Sequence, residues 1–325
     1  MRVAVLALLA ACGPAAEKAP ASCPAMVGPQ LVIATTDYST GALAAVDLET
    51  GCVADRVMSR LGGDPLVVEA DGLVAVVQRS DGDVIRLYQP GKWREPLAEI
   101  GVEPGSNIHD VAIVGDRLFA SSYERATVDV YDLVDERWLE GIDLSDHADD
   151  DGIPEADRFR ITDDAVLQLA LQRLDRDELP WSPQAGQIIT IDPVEMMLGE
   201  AIEVGPSPRL FDSGVLTGVY GVLDGALTDL DGEVILTEAE AGFDFSAHGA
   251  RDGRQVLVGS TFEGETRVLC FDGSWFDGDA TKAWVSDLAM LDDGTAILAT
   301  RTGWHRDATS GLTTLDVETC SFVGE

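Results

Sequence analysis

The feature that most restricts what this chain can fold into is a mark that returns seven times. It is a short β-prone run closing on an apolar pair and then, with one exception, an aspartate. The marks end at Asp47, Gln89, Asp132, Asp192, Asp229, Asp272 and Asp316, and Gln89 is the exception. Most intervals are close to the roughly 40–45 residues that one four-stranded unit of a radial repeat consumes. The interval from Asp132 to Asp192 is visibly longer.

A hairpin pattern precedes the marks. Leu66 to Val77 turns at Asp71-Gly72, Val111 to Ala120 at Gly115-Asp116, Phe159 to Leu169 at Asp163-Asp164, and Leu288 to Leu298 at Asp292-Asp293-Gly294. Gly and Asp tolerate the left-handed backbone angles that tight hairpins need. A doubly wound α/β sheet would require helical patterns of about 10–15 residues between strands, and the chain has none. Leu167–Leu174 comes nearest, but it follows an Asp-Asp turn where a second strand is due. The sequence therefore predicts an all-β fold, a seven-bladed β-propeller of four-stranded antiparallel blades spanning residues 31–325. The surplus residues fall in two loops, His147–Asp157 and Arg173–Ala185. In the fifth blade, Gly214 to Gly225 can be divided between strands in two ways.

The N-terminus is read separately. One cation, Arg2, precedes the apolar run Val3–Leu9, which is far shorter than the about 20 residues a spanning helix needs and has the form of a secretory signal. Leu9-Ala10-Ala11-Cys12-Gly13 resembles the lipobox of bacterial lipoproteins, which implies cleavage before a lipidated Cys12. The expected organisation is a signal peptide at 1–11, a lipidated Cys12 and Pro/Ala-rich tether at 12–30, and the propeller at 31–325. The resemblance places the protein in the bacterial cell envelope, held to the membrane by its lipid. Gly13 favours the outer over the inner membrane, because the inner-membrane retention signal is Asp at that position. Of five cysteines, Cys12 is then committed, leaving Cys23, Cys52, Cys270 and Cys320 for two disulfides in an oxidising compartment. The least chain excursion pairs Cys23 with Cys52 and Cys270 with Cys320. A Cys23–Cys320 bridge, stapling the two ends of the domain, is the rival.

The 58 acidic residues against 22 Lys and Arg give a net charge of −36, while 46% hydrophobic residues make the composition globular. Such a surface repels nucleic acid and anionic headgroups. Envelope proteins or small ligands are the expected partners, and the chain is expected to be monomeric.

The run from Leu31 to Leu48, LVIATTDYSTGALAAVDL, resembles the repeat of surface-layer and lactonase-like seven-bladed propellers. That superfamily includes binding scaffolds, hydrolases and quinone-dependent dehydrogenases, so the resemblance bears on fold more than on function. The segment Asp146 to Asp157 resembles a calcium loop. With His147 at its first position, Asp149, Asp151, Gly152 and Glu155 fall at positions 3, 5, 6 and 9. His147 and Arg158 replace the acids expected at positions 1 and 12. Asp149, Asp151, Glu155 and Asp157 are accordingly the candidate calcium ligands. No zinc spacing occurs among His109, His147, His248 and His305, and no Gly-x-Ser-x-Gly elbow or phosphate-binding glycine loop is present. His109 and His248 fall on the expected inner strands of blades three and six.

Loops between the second and third strands of each blade carry Tyr38, Arg79, Tyr123, Arg125, Arg173, Trp181, Trp304 and His305, residue types enriched at binding hot spots. The expected function is therefore a lipid-anchored, non-catalytic propeller that binds ligands or proteins on one face. The alternative is a propeller enzyme, a lactonase-like hydrolase or a metal-dependent oxidoreductase. A clustered set of His, Glu, Asp and Asn around one channel mouth would favour the enzyme, and a wide aromatic and Arg face without such a cluster would favour the binder.

Overall fold

The computed structural model describes the backbone of residues 3–9 together with residues 26, 28–37, 39–79, 82–176, 182–219, 221–261, 265–301 and 310–323. The chain is a seven-bladed β-propeller of four-stranded sheets. Two compact units divide it: residues 1–103 with 246–325, and residues 104–245. Blades one, two and seven lie in the first unit together with nearly all of blade six, and blades three to five form the second.

Each blade after the first is an antiparallel meander, as in Pro65–Ala70, Leu73–Gln78, Val84–Tyr88 and Ala98–Gly101 of blade two. Within a blade the pattern of burial follows the order of the strands. Second strands read as unbroken apolar runs, such as Val74-Ala75-Val76-Val77, because both of their faces are covered. Third strands alternate, and Gly41–Asp47 buries every other residue. Fourth strands such as Val53–Ser59 are largely exposed and carry the charges. The expected hairpins at Asp71-Gly72, Gly115-Asp116, Asp163-Asp164 and Asp293-Gly294 all form.

The recurring aspartate has a physical cause. At five of its six places it ends the third strand and its carboxylate accepts backbone N–H groups of the turn that leads into the fourth. Asp47 accepts from Glu49 and Thr50, Asp132 from Val134 and Asp135, Asp192 from Val194 and Glu195, Asp229 from Asp231 and Glu233, and Asp316 from Thr319. Hydrogen bonds from those N–H groups hold Asp47, Asp132, Asp192 and Asp316 below the usual carboxylate range. Where Gln89 stands in this place the turn is not tight, and a nine-residue loop, Gln89–Leu97, runs to the fourth strand.

Helix is nearly absent among the described residues, limited to Glu238–Ala241 and a 3-10 turn at Ser145–His147. Leu167–Leu171 is a strand, as the Asp-Asp turn required. The long fourth repeat spends its extra residues on the loop before Ala156 and on a small ribbon, Leu174–Asp175 with Ser182–Pro183. Blade five resolves into Arg209–Phe211, Gly214–Thr217, Ala226–Thr228 and Val234–Thr237.

Blade one departs from the expected pattern. Its own meander supplies only Gln30–Thr36, Gly41–Asp47 and Val53–Ser59 before the chain passes to blade two. The first-strand place is taken by Val3–Leu9, which runs parallel to Gln30–Thr36. An edge strand in that position presents unpaired N–H and C=O groups, and a seven-residue apolar run satisfies them. In residues 1–325, Val3–Leu9, the segment read from sequence as a leader, is a strand of the first sheet.

Cys270 and Cys320 form a disulfide, with Cα atoms 5.8 Å apart. Cys52 is also disulfide-bonded, and its partner lies outside the described residues, as do Cys12 and Cys23. No helix among the described residues is long and apolar enough to cross a membrane.

Candidate functional site

A dense polar cluster lies between blades three and four, where the first strands Ile108–Val114 and Ala156–Ile161 face one another. Both strands are bulged where it forms. Ser121 pairs with Asp110 and Ser122 with Ile108, which leaves His109 as the extra residue. Ala156 pairs with Leu171 and Phe159 with Leu169, so Asp157 and Arg158 together oppose Ala170. A bulge re-aims a side chain that regular pleating would have sent elsewhere. Here the two bulges bring His109 Nδ1 to 3.0 Å from Asp157 Oδ1.

The rest of the cluster holds this pair in place. The Tyr123 ring stacks on the His109 imidazole at 3.8 Å, the planes 12° apart. Tyr123 donates its hydroxyl to Gln172 Oε1 at 2.7 Å, and Gln172 Nε2 donates to Asp157 Oδ2 at 3.2 Å. Ser121 donates to the Asp157 carbonyl at 2.6 Å. Asp157 is buried, which pushes its pKa up, but the hydrogen bond and charge of His109 and the charges of Arg158 and Arg209 prevail and hold it below the usual value. An ionised Asp157 keeps a proton on His109 Nδ1. His109 Nε2 has no partner among the described residues, and the side chain is 21% exposed.

Asp110, one residue on, accepts from Val111 N–H at 2.8 Å and from Phe159 N–H at 2.7 Å, so it ties the two first strands together. Burial raises its pKa to about 7.

The expected calcium ligands separate into two groups. Asp157 belongs to the histidine, as above. Asp149, Asp151 and Glu155 lie on the preceding loop, and the guanidinium of Arg176 reaches in among them. Arg176 donates to Glu124 Oε2 at 2.7 Å, places its Nε 3.1 Å from Glu155 and 3.8 Å from Asp151, and lies over the Tyr123 ring at 5.8 Å. Glu155 takes a left-handed φ of 45° and accepts the Leu174 N–H at 2.8 Å. Burial raises Glu155 to about 8, and burial together with the hydrogen bond and charge of Asp151 raises Asp149 to about 6. Among the described residues no three His, Cys, Asp or Glu side chains are grouped to hold a metal ion. His147 donates to or accepts from Gln187 at 2.9 Å, away from these carboxylates.

Of the residues expected on a ligand face, the described ones all lie in second-to-third strand loops, but their own blades engage them. Arg79 pairs with Asp64 at 2.8 Å, Arg125 with Asp129 at 3.3 Å, and Arg173 donates to the Ala185 carbonyl at 3.1 Å. Tyr123 forms the floor of the histidine cluster. Tyr38, Trp181, Trp304 and His305 lie outside the described residues. Sequence reading overlooked Gln172, Arg176, Glu124 and Asp110. Gln172 and Arg176 stand in the over-long fourth repeat, and surplus length in a regular repeat was the signal that could have drawn attention to them.

No protein-family model matches the chain, and no curated protein matches it. Solved structures do. The β-propeller domain of the Trilobed protease from Pyrococcus furiosus superposes with a TM-score of 0.55 at 13% identity, covering 88% of this chain and 90% of that one. Virginiamycin B lyase from Staphylococcus aureus gives 0.56 at 12% identity, covering 86% and 93%. A candidate 6-phosphogluconolactonase from Bacteroides fragilis gives 0.54 at 11% identity, covering 87% and 88%. At such identities the likeness is one of fold, and it makes the chain a seven-bladed β-propeller similar in architecture to these enzymes and to a protease domain.

Proposed function

We propose that this chain is a lipid-anchored propeller of the bacterial cell envelope, outer membrane before inner, that binds a small polar ligand without transforming it. The observation that carries the binding reading is the partly exposed imidazole of His109, held by a buried, ionised Asp157 and by the stacked Tyr123, with its Nε2 unpartnered among the described residues. A fixed ring nitrogen suits recognition of a polar ligand group, because little ordering entropy is lost on binding. The lipobox-like Leu9-Ala10-Ala11-Cys12 supports the anchor.

The same geometry supports a second reading, hydrolysis by a water molecule activated at His109. A carboxylate-oriented imidazole is a general base. The neighbouring Ser121 hydroxyl is committed to the Asp157 and Asp110 carbonyls, which leaves water as the nucleophile in that scheme.

One experiment separates the two. A panel of sugars, sugar acids, amino sugars and sugar lactones is added to wild-type protein and to His109→Ala, with melting temperature and product formation both followed. A saturable stabilisation lost in the variant, with no product, supports the binder. Product formation that depends on His109 replaces it with the hydrolase. A panel without any His109-dependent effect overturns both. Palmitate labelling and mass spectrometry of the N-terminus test the anchor: an intact, unacylated N-terminus would sink it.

A further inference from the structure

The first strand of blade one reaches its place differently from those of the other blades. In blades two to seven the first strand begins the same antiparallel meander, whereas Val3–Leu9 pairs parallel with Gln30–Thr36, from Val3 opposite Gln30 to Leu9 opposite Thr36. It runs beside Pro65–Ala70 and Trp284–Met290, the first strands of blades two and seven. The acceptor strand is covered on both faces. Leu31 and Ile33 pack toward blade seven and Val32 and Ala34 toward blade two, and none of the four is more than 6% exposed.

Cleavage before a lipidated Cys12, the reading on which this inference rests, removes Val3–Leu9 and opens that edge to water. The N-terminal segment left behind cannot take the strand's place. A strand parallel to the one that follows it in sequence needs a crossover of about a dozen residues, and with seven paired residues this exceeds the 18 residues from Cys12 to Pro29. Pro14, Pro20, Pro24 and Pro29 also leave no proline-free run there longer than five residues, and proline has no N–H for a ladder. A second processed copy offers the same segment, and a net charge of −36 sets like chains apart.

We infer that blade one of the processed chain is an acceptor for a donor strand from a partner protein, an extended, uncharged, proline-free apolar segment of seven residues lying parallel to Gln30–Thr36. Val3–Leu9, with the sequence VAVLALL, shows the chemistry the place accepts. In strand addition of this kind main-chain hydrogen bonds supply affinity, and the side chains choose among donors.

The test starts from the full chain with a specific protease site inserted after Ala16, so that cutting leaves Val3–Leu9 in place without a covalent link. Three peptides are offered in urea below the unfolding midpoint, which promotes exchange: a fluorescent Arg2–Ala10 peptide, the same peptide with Leu6→Pro, and a lysine-capped Val/Leu heptapeptide of unrelated order. Anisotropy follows binding and hydrogen exchange locates it. The Arg2–Ala10 peptide should enter saturably and protect the amides of Gln30–Thr36, the unrelated heptapeptide should compete with it, and the proline peptide should bind about tenfold more weakly or worse. No exchange, equal binding of the proline peptide, protection elsewhere, or failure of the unrelated heptapeptide to compete would each overturn the inference. Mass spectrometry of the protein from cells is a separate arm: an intact Met1 would remove the processed chain, and the inference would then fall with the anchor and not through peptide binding.

Discussion

His109 and Asp157 stand 48 residues apart in the chain and 3.0 Å apart in the fold, each thrown out of register by a β-bulge on facing first strands of neighbouring blades. Replacing Asp157 by Asn keeps the volume and removes the charge. A hydrogen bond to a buried charged group contributes about 1.5–3 kcal/mol, and Asp157→Asn should lower stability by about that much in urea unfolding. The 15N shifts of His109 should move from one Nδ1–H tautomer toward a mixture. Unchanged ring shifts would show that Asp157 does not set the tautomer.

Three carboxyls near this pair are raised: Glu155 to about 8, Asp110 to about 7 and Asp149 to about 6. Between the ordinary carboxyl pKa and these values the folded state retains protons that the unfolded state has released. Their contribution to stability is therefore full at low pH and declines as pH rises through that window. Glu155→Gln mimics the protonated acid at every pH. It should melt like wild type near pH 4 and above wild type near pH 8, and a constant difference across the range would assign the effect elsewhere.

His248 works at the acid end. Burial lowers it from 6.5 to about 4, with Gln255 hydrogen-bonded to its Nε2. Its neutral form contributes stability above the ordinary pKa, and that contribution is lost as pH falls toward 4 because the unfolded state binds the proton first. His248→Gln should flatten the acid limb of the melting profile between about pH 6.5 and 4. An unaltered limb would place acid sensitivity in other groups.

The Cys270–Cys320 bridge joins the third strand of blade six to the turn before the last strand of blade seven, 50 residues on. Closing a loop of that length restricts the unfolded chain by about 4 kcal/mol. The double Ala variant should lose about that much in urea unfolding under oxidising conditions, and loss below about 1 kcal/mol would mean the bridge contributes little.

Blade one makes a prediction about processing. If cleavage before Cys12 removes Val3–Leu9, the edge of Gln30–Thr36 that the strand covers becomes open. Hydrogen exchange of chain 12–325 should then be faster at those amides than in the full-length chain, and unchanged in blades two to seven. Retained protection would show that another segment takes the place.

The sequence by itself determined the repeat. Hydrophobic periodicity, Gly and Asp turns and the recurring strand-closing aspartate are local signals, each acting over a few residues, and they were enough to count seven blades and to place most hairpins. The same locality explains what could not be read. The union of His109 with Asp157 depends on two bulges and on the packing of one sheet against the next, which no local pattern records. Arg176 reached two of the carboxylates that the sequence grouped as ligands for calcium, Asp151 and Glu155, because a side chain arriving from a distant loop leaves no mark in the spacing of the acids. That Val3–Leu9 fills the first-strand place of blade one became visible only when hydrogen bonding had to be satisfied across the whole sheet. Tertiary structure decided these matters because burial forces every polar group to find a partner, whatever its distance along the chain.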